Sequence, residues 1–352
     1  MNSYEYHKIL SPDFPDFLHD YISLPIFQRL DGVGLLCGTD WTKLYSNRFS
    51  YTRFDHSVGT ALITWHFTHS KKQSLASLFH DVATPAFSHV SDFRNGDAMK
   101  QESTEEKTSD ILTFDQTLRE LLARDGINVC EIRDYHIYPV CDNKIPRLSS
   151  DRLEYMFPSA MAMADKIAPR KTWTLDEVKS TYDNIRILKN EDGADELGFL
   201  DAQIAEDYCI KFNDIGLLLL KNENKVSLSL LGKILSLAEE RKIASEDDFM
   251  TLSERRLIQK FTDFKKENPL DEFSVLFRTF TNMTSIIRSE REVPGCYCVS
   301  IGVKKRYIDP LVKTNSGERR ISDISQRAKE SIENLLGFED AKFGCARLIT
   351  KS

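Results

Sequence analysis

Two imidazoles and two carboxylates, spread over three segments of the sequence, could together bind one catalytic divalent metal ion. His80 and Asp81 are adjacent, His56 lies upstream in the segment 53–57, and Asp151 lies downstream. Mixed nitrogen and oxygen ligands suit Mn, Fe, Co, Ni or Zn, and Mg less naturally, so the sequence does not select the metal. Taken alone, each of these side chains could equally be a helix cap or a polar core residue. The three segments in this order predict a metal site.

Helices are expected to position these side chains. Adjacent helical residues point about 100° apart, so His80 and Asp81 can approach one ion from neighbouring directions. Pro85 predicts that their helix ends close to the site. Apolar residues recur at helical spacing after Ser57 and again just before His80, at Val58, Ala61, Leu62 and Trp65, and at Leu75, Leu78 and Phe79.

The segments resemble the motifs of the HD-domain phosphohydrolase superfamily, and most of all its deoxynucleoside-triphosphate triphosphohydrolase (dGTPase-like) branch. The resemblance spans about residues 25–157 and reappears more weakly at 305–312. It implies that His56, His80, Asp81 and Asp151 are the four ligands of one divalent metal. The matching motifs are Phe27-Gln28-Arg29-Leu30, Tyr51-Thr52-Arg53-Phe54-Asp55-His56-Ser57-Val58-Gly59, Phe79-His80-Asp81, Phe87-Ser88-His89 and Ser150-Asp151-Arg152-Leu153-Glu154-Tyr155.

The resemblance also implies catalytic roles for His89, Asp92 and Glu102. His89 and Asp92 stand three residues apart, one helical turn, so they can share a face. In the resembled enzymes this histidine acts near the scissile phosphate and the acid one turn later orients it. We therefore expect His89 to transfer a proton and Asp92 to fix its tautomer. The alternative is an ordinary solvated His-Asp pair.

Substrate binding is assigned to Arg53, Arg152 and Tyr155 on the same grounds. Arg53 lies three residues before His56, and Arg152 directly follows Asp151. A guanidinium offers a rigid fork for phosphate oxygens, and the family places basic side chains at matching positions. Either arginine could instead belong to a structural or surface ion pair.

The sequence departs from the family pattern at several positions. Thr84 and Pro85 stand where the family has histidine and glycine, and Gln101 stands where a histidine precedes the acid that corresponds to Glu102. Leu35-Leu36-Cys37 replaces the family's Gln-Leu-Gly, so the base and sugar preferences are not readable. These changes are consistent with slower chemistry, a different phosphate substrate, or a site used for binding alone.

The predicted fold class is predominantly all-α. An HD helical core is expected at residues 1–165, with a C-terminal helical region at 166–352 packed on it as one unit. A small antiparallel β element is expected near 296–321, with its turn at Asn315-Ser316-Gly317. Family resemblance, and not composition, implies a homo-oligomer.

Composition limits the partners that we expect. The 352 residues include 54 acidic and 47 basic side chains, a net charge of -7, which argues against extended nucleic acid but not against a small anionic substrate. The densest apolar run, 215–220, is far shorter than the roughly 20 residues of a membrane span, so we expect no membrane partner. Seven scattered cysteines suit reduced thiols and a cytoplasmic location. Cys296 and Cys298 form the one close pair, either on one face of a strand or in a metal or redox role.

The sequence therefore predicts a metal-dependent phosphohydrolase acting on a nucleotide or another phosphorylated small molecule, with removal of triphosphate from a dNTP favoured. A nucleotidase or phosphodiesterase of the same superfamily is the alternative enzyme. A weakly active nucleotide sensor is the alternative without catalysis, and a structural or nucleic-acid-binding protein comes third.

Overall fold

The computed structural model describes residues 1–94, 96, 107–166 and 172–350. The first half of the chain is helical, and several of the loops between its helices contain short 3-10 helices. Its helices are α1 (Ser3–Leu10), α2 (Phe17–Ile22), α3 (Pro25–Gln28), α4 (Arg53–Thr68), α5 (Lys71–Phe79), α6 (Val90–Arg94), α7 (Thr108–Phe114), α8 (Gln116–Arg124), α9 (Ser150–Ala162) and α10 (Leu175–Asp183).

Local capping places the start of the helices that carry the predicted ligands. Thr52 caps α4 by accepting from the backbone N–H of Asp55, whose side chain in turn accepts from the backbone of Thr52. Ser149 caps α9 in the same way, through the N–H of Arg152. Both helices pack on one another, and α4 packs along α5 as well. The predicted ligands therefore sit in the first turns of α4 and α9 and just beyond the end of α5.

The apolar stripe from Ile111 to Leu122 falls on two helices, α7 and α8. Asp115 ends α7 and its side chain caps α8 through the N–H of Leu118, so one acidic residue divides the stripe.

The second half of the chain combines helices with two sheets. The helices are α11 (Ala202–Leu220), α12 (Asn222–Glu240), α13 (Glu246–Thr251), α14 (Glu254–Glu267), α15 (Glu272–Asn282), α16 (Ile321–Ile324) and α17 (Gln326–Gly337). The strands are β1 (Ile185–Lys189), β2 (Asp195–Phe199), β3 (Ile287–Ser289), β4 (Cys296–Val299), β5 (Leu311–Thr314), β6 (Gly317–Arg320) and β7 (Phe343–Arg347).

The β structure corrects part of the predicted fold class. The fold is predominantly helical, but its sheets are a substantial part and not one small element near 296–321. Strands β5 and β6 form the hairpin, yet they belong to a four-stranded sheet of order β1-β2-β5-β6 in which β2 and β5 run parallel. Strand β4 lies in a separate three-stranded sheet of order β3-β7-β4. Strands β4 and β5 belong to different sheets because each pairs with a strand that is distant in sequence, and no local sequence pattern indicates that pairing.

The cysteines also depart from the predicted set of reduced thiols. Cys298 of β4 and Cys345 of β7 are paired in register and joined by a disulfide. Cys296 and Cys298 lie two residues apart on strand β4, which agrees with the interpretation of the pair as part of a strand. The prediction of reduced thiols is therefore wrong for this pair, whose members are 47 residues apart in sequence, whereas the other five cysteines are free.

One continuous apolar core includes side chains from both halves, from Tyr6 of α1 to Ala346 of β7. Helix α12 packs against α6, α15 and the β3-β7-β4 sheet, so the C-terminal elements contact the N-terminal helices directly. Among the described residues, no helix combines the length and apolar character needed to cross a membrane.

Gly216 of α11 marks a close approach that the fold requires. A Cβ at this position would collide with the carbonyl oxygen of Arg306 and lie 2.6 Å from Leu335 Cδ1. We expect Gly216→Ala to lower the free energy of unfolding by about 1–3 kcal/mol, because the contact is with backbone that cannot rotate away. Urea denaturation measures it.

The matched control is Gly337→Ala, at the end of α17, where an added Cβ meets nothing within 4 Å. Its unfolding free energy should stay within about 1 kcal/mol of the wild type or rise slightly. Equal stability of the two variants would contradict the packing argument.

Candidate active site

A cavity of about 670 Å³ contains the predicted ligands on its wall. The wall combines the ends of α4, α5 and α9 with residues of the second half of the chain. Its polar lining residues include His56, His80, Asp81, His89 and Asp151. Its apolar lining residues include Met163, Ile215, Leu219, Leu228 and Val303.

Three of the predicted ligands form a compact group. The ligand atoms of His56, His80 and Asp151 all lie within 4.8 Å of one another. Asp151 Oδ1 is 3.1 Å from His56 Nε2 and 3.7 Å from His80 Nε2. An ion with bonds of about 2.1 Å holds its ligand atoms roughly 3–4 Å apart, so the spacing fits a divalent metal.

Asp81 lies beside this group and is held by other partners. Its Oδ2 is 3.7 Å from His56 Nε2 and 3.5 Å from His80 Nε2. The same oxygen accepts a 2.7 Å hydrogen bond from Arg53, and Oδ1 accepts one of 2.9 Å from Thr84. Burial alone would raise the pKa of Asp81, but the nearby Arg53, His80 and His56 outweigh it and hold that pKa well below its usual range. Asp81 is thus an ionised carboxylate, close enough to serve as a fourth ligand.

Glu154 is a buried partner of His56 that the sequence reasoning missed. Its Oε2 hydrogen-bonds His56 Nδ1, and its Oε1 accepts a 2.6 Å hydrogen bond from the hydroxyl of Tyr51. Asp151 and Glu154 are three residues apart on α9 and so share a face of it, a spacing that could have revealed the pair. A carboxylate on the far nitrogen of a metal-binding histidine fixes the ring and raises its basicity.

Both histidines present Nε2 to the cavity. His80 Nδ1 donates a 2.7 Å hydrogen bond to the carbonyl oxygen of Ser77, which leaves Nε2 as the ligand atom. Burial would lower the pKa of His56, but Glu154 and Asp151 overcome it and raise that pKa to about 10. Burial raises the pKa of Glu154, and this effect outweighs the neighbouring His56, which acts to lower that pKa. Without metal, His56 is therefore a buried imidazolium between two carboxyl groups.

The two arginines predicted to bind phosphate differ in position. Arg53 is buried, and it donates to Asp81 and, through Nε, to Ser88 Oγ at 3.0 Å. Arg152 is held by neighbouring residues of the cavity wall. It donates to the Asn143 side chain and the Arg147 carbonyl and forms a 3.0 Å ion pair with Asp142. The geometry favours a structural role for Arg152, the alternative that the sequence left open.

His89 lies on the cavity wall directly after a tight turn. Phe87 and Ser88 before it have left-handed φ angles of 65° and 53°. The backbone of Asp92 belongs to α6, but its side chain and all of Glu102 lie outside the described residues, as does Gln101. Thr84 is buried against Asp81, so its hydroxyl supports that carboxylate.

Glu254, the first residue of α14, holds the turn that precedes His89. Its Oε1 accepts from the backbone N–H of Gly34 at 2.8 Å and of Phe87 at 3.0 Å, and its Oε2 accepts from Trp41 Nε1 at 2.6 Å. Burial raises the pKa of this carboxyl although three donors oppose it. A C-terminal helix thereby fixes two loops of the N-terminal half, a contact that no local sequence pattern indicates.

The structure adds wall residues that the sequence reasoning did not name as site residues. Tyr135 packs its ring 4.9 Å from that of His80, and His136 and Lys144 follow on the same segment. Lys304 and Arg306 reach the cavity from the segment between β4 and β5. Arg306 falls within the weaker motif match at 305–312, which was the available signal. Tyr155, predicted to contact substrate, lies on the wall as well.

Sequence comparison finds a relative that matches part of the chain. No protein-family model matches the chain. The uncharacterized protein YdhJ of Bacillus subtilis (strain 168) is 27% identical over 141 residues, which are 39% of this chain and 41% of YdhJ. The match thus spans about two fifths of that relative.

Two solved structures resemble almost the whole chain. A hypothetical protein from Aquifex aeolicus has a TM-score of 0.61 at 16% identity, with 96% of this chain and 93% of that chain covered. A phosphohydrolase from Bacteroides thetaiotaomicron VPI-5482 has a TM-score of 0.63 at 13% identity, with 96% and 97% covered. At these identities the likeness establishes a shared fold.

Replacing Glu154 tests the role of the His56–Glu154 hydrogen bond. In Glu154→Gln, the amide N–H₂ facing His56 would favour a proton on Nε2, the atom that points at the metal site. We expect metal affinity to fall roughly 10- to 100-fold, as measured by equilibrium dialysis with Mn²⁺. Glu177→Gln, at the exposed cap of α10, should bind metal like the wild type. Unchanged affinity in Glu154→Gln would remove Glu154 from the site.

The raised pKa of His56 predicts a proton released on metal binding. Below about pH 10 the metal-free His56 carries a proton that an ion must displace, whereas Asp81 and Asp151 are already ionised above about pH 4. Apparent metal affinity should therefore rise from pH 7 toward pH 10, by up to about tenfold per unit. Calorimetry in buffers of different ionisation enthalpy should find about one proton released per ion. A pH-independent affinity with no proton release is the contrary result.

Proposed function

We propose that this protein is a metal-dependent phosphohydrolase that cleaves a phosphoester or phosphoanhydride bond of a nucleotide or another phosphorylated small molecule. One observation carries the proposal: His56, His80 and Asp151 converge on a cavity, with Nε2 of each imidazole directed inward. The fold shared with a protein named phosphohydrolase supports it. The favoured version is an HD-type dNTP triphosphohydrolase, as the sequence motifs suggest.

The residues present fit a divalent ion. His56, His80 and Asp151 would hold it, with Asp81 as the fourth ligand, and Glu154 fixes the tautomer of His56. When bound, the ion would supply positive charge for a phosphoryl group and acidify a water molecule. Mn, Fe, Co, Ni and Zn match the ligand set, and Mg matches it less naturally.

The chain's own side chains account for proton and phosphate handling. His89, placed on the cavity wall by the turn at Phe87 and Ser88, transfers a proton to or from the reacting phosphate, and Asp92 on α6 orients it. Glu102 is assigned as a further acid of the site. Arg53 stabilises Asp81 and lies on the same wall, so it can contact a phosphate oxygen.

Tyr155 contributes to the substrate side of the cavity, and Arg152 maintains the wall on which the substrate rests. The apolar side formed by Ile215, Leu219 and Leu228 suits a base or sugar face more than a charged group. A nucleotide would thus bind with its phosphates toward the histidines.

Product analysis tests the function. Purified protein is incubated with dNTPs, NTPs, nucleoside monophosphates and cyclic dinucleotides, each with Mg, Mn, Co and Ni. Triphosphate release supports the favoured enzyme, single phosphate a nucleotidase, and a linear product a phosphodiesterase. Tight nucleotide binding without turnover with any of the four metals would instead support a nucleotide sensor and contradict the phosphohydrolase function.

His89→Ala tests the proton-transfer assignment. If His89 moves a proton in the rate-limiting step, we expect kcat to fall roughly 10²- to 10⁴-fold with metal content unchanged. Steady-state kinetics and elemental analysis measure the two quantities. His19→Ala, an exposed histidine of α2, is the control and should retain wild-type kcat. Wild-type turnover in His89→Ala would assign the proton to another group.

A further inference from the structure

The segment between β4 and β5 forms part of the cavity wall without being a helix or a strand. Its backbone is nevertheless fixed by buried groups. The N–H of Ile308 donates to Asn213 Oδ1 at 3.2 Å, the thiol of Cys209 donates to the Ile308 carbonyl at 3.3 Å, and the N–H of Asp309 donates to the Pro146 carbonyl at 2.9 Å. Asn213 and Cys209 are both fully buried on α11. The wall segment is therefore anchored at Ile308 and Asp309, two and three residues after Arg306.

Gly216 of α11 allows the backbone of Arg306 to pack closely against the helix. The carbonyl oxygen of Arg306 rests against the position where any larger residue on α11 would place its Cβ. Helix α11 thus sets the backbone position from which the Arg306 side chain enters the cavity.

The side chain of Arg306 is directed by Tyr155. Its guanidinium donates a hydrogen bond to the Tyr155 hydroxyl. Tyr155 follows Asp151 by four residues on α9, a rise of about 6 Å along the helix axis. Arg306, Tyr155 and the metal-ligand group therefore line the same cavity.

Arg306 shares the cavity lining with Arg53 and Cys37. Burial raises the pKa of the Cys37 thiol, and the positive charges of Arg53 and Arg306 oppose that effect. Two guanidinium groups, one from each half of the chain, thus line the same cavity. Lys304 lines the cavity from the same segment.

We propose that Arg306, with Lys304 beside it, is a phosphate-binding site of the C-terminal wall, and that the substrate carries at least two linked phosphates. One phosphate would lie at the metal-ligand group and the next would reach Arg306. This deepens the phosphohydrolase function proposed above and rests on it. Arg152 is committed to Asp142 and Asn143, so the phosphate-binding role expected of it passes to Arg306.

Inorganic anions test the site without requiring turnover. Phosphate, pyrophosphate and tripolyphosphate are titrated by calorimetry into the Mn²⁺-loaded wild type, Arg306→Ala, Arg306→Lys and the control Lys305→Ala. Lys305 belongs to the same segment, but its side chain bonds the Leu336 carbonyl, outside the cavity. The measured quantity is the ratio of tripolyphosphate affinity to phosphate affinity.

We expect that ratio to fall roughly 10- to 100-fold in Arg306→Ala, since the longer anion alone reaches the arginine. Arg306→Lys keeps the charge but loses the fork, so its ratio should fall by less, and Lys305→Ala should match the wild type. Arg306→Lys decides the question if the alanine variant does not fold. An unchanged ratio, whether both affinities persist or both fall together, overturns the proposal.

The two proposals fail separately. A lowered ratio in a protein that hydrolyses no nucleotide would keep the anion site and reject the hydrolase. An unchanged ratio in a protein that hydrolyses nucleotides would keep the hydrolase and reject Arg306 as its phosphate contact.

Discussion

The hydrogen bond between Glu154 and His56 is the interaction on which the candidate site depends. Both groups are buried, Glu154 completely, and each is satisfied by the other together with one further partner, Tyr51 for Glu154 and Asp151 for His56. The bond uses Nδ1 and leaves Nε2 facing Asp151 and the cavity. Helices α4 and α9 must pack closely to make it, and a Cβ on Gly59 would lie 2.5 Å from Glu154 Oε1. Fold and site chemistry are joined at this contact.

Residues from the second half of the chain complete the site that the first half begins. Glu254 binds the backbone of Gly34 and Phe87 and so holds the turn before His89. Asn213 and Cys209 fix the segment that carries Arg306. Each is a buried polar group satisfied by backbone, which makes the arrangement rigid. The residues that could hold a metal ion and the arginine that we propose to bind phosphate thus come from different parts of the sequence and line one cavity.

Local sequence predicted the elements that hold the ligands. Helical spacing around Leu62 and Leu75 predicted α4 and α5, but α5 ends at Phe79, so His80 and Asp81 lie just beyond the helix on which they were expected. The Asp192-Gly193 turn between β1 and β2 is a hairpin signal that could also have been read, with Gly193 at φ 74°. Element type was accessible because propensity and periodicity act over a few residues.

Long-range contacts were not accessible from one sequence. The sheet that joins β2 to β5 and the disulfide of Cys298 with Cys345 each depend on where distant segments pack. The ion pair of Arg152 with Asp142 depends on the path of the loop between them. The guanidinium of Arg152 is held by an ion pair with Asp142 and by hydrogen bonds to Asn143 and Arg147, and its position directly after Asp151 in the sequence does not reveal these partners. Glu254 was missed for the same reason, whereas Glu154 could have been found from its spacing of three residues after Asp151 on α9.

The central claim is that His56, His80 and Asp151 bind one divalent ion. Anomalous diffraction at the Mn edge from crystals grown with Mn²⁺ tests it most directly. The account predicts a single strong peak about 2.0–2.3 Å from Nε2 of both histidines and from a carboxylate oxygen of Asp151. A saturated crystal with no peak between these atoms, or with its ion bound elsewhere in the cavity, would contradict it.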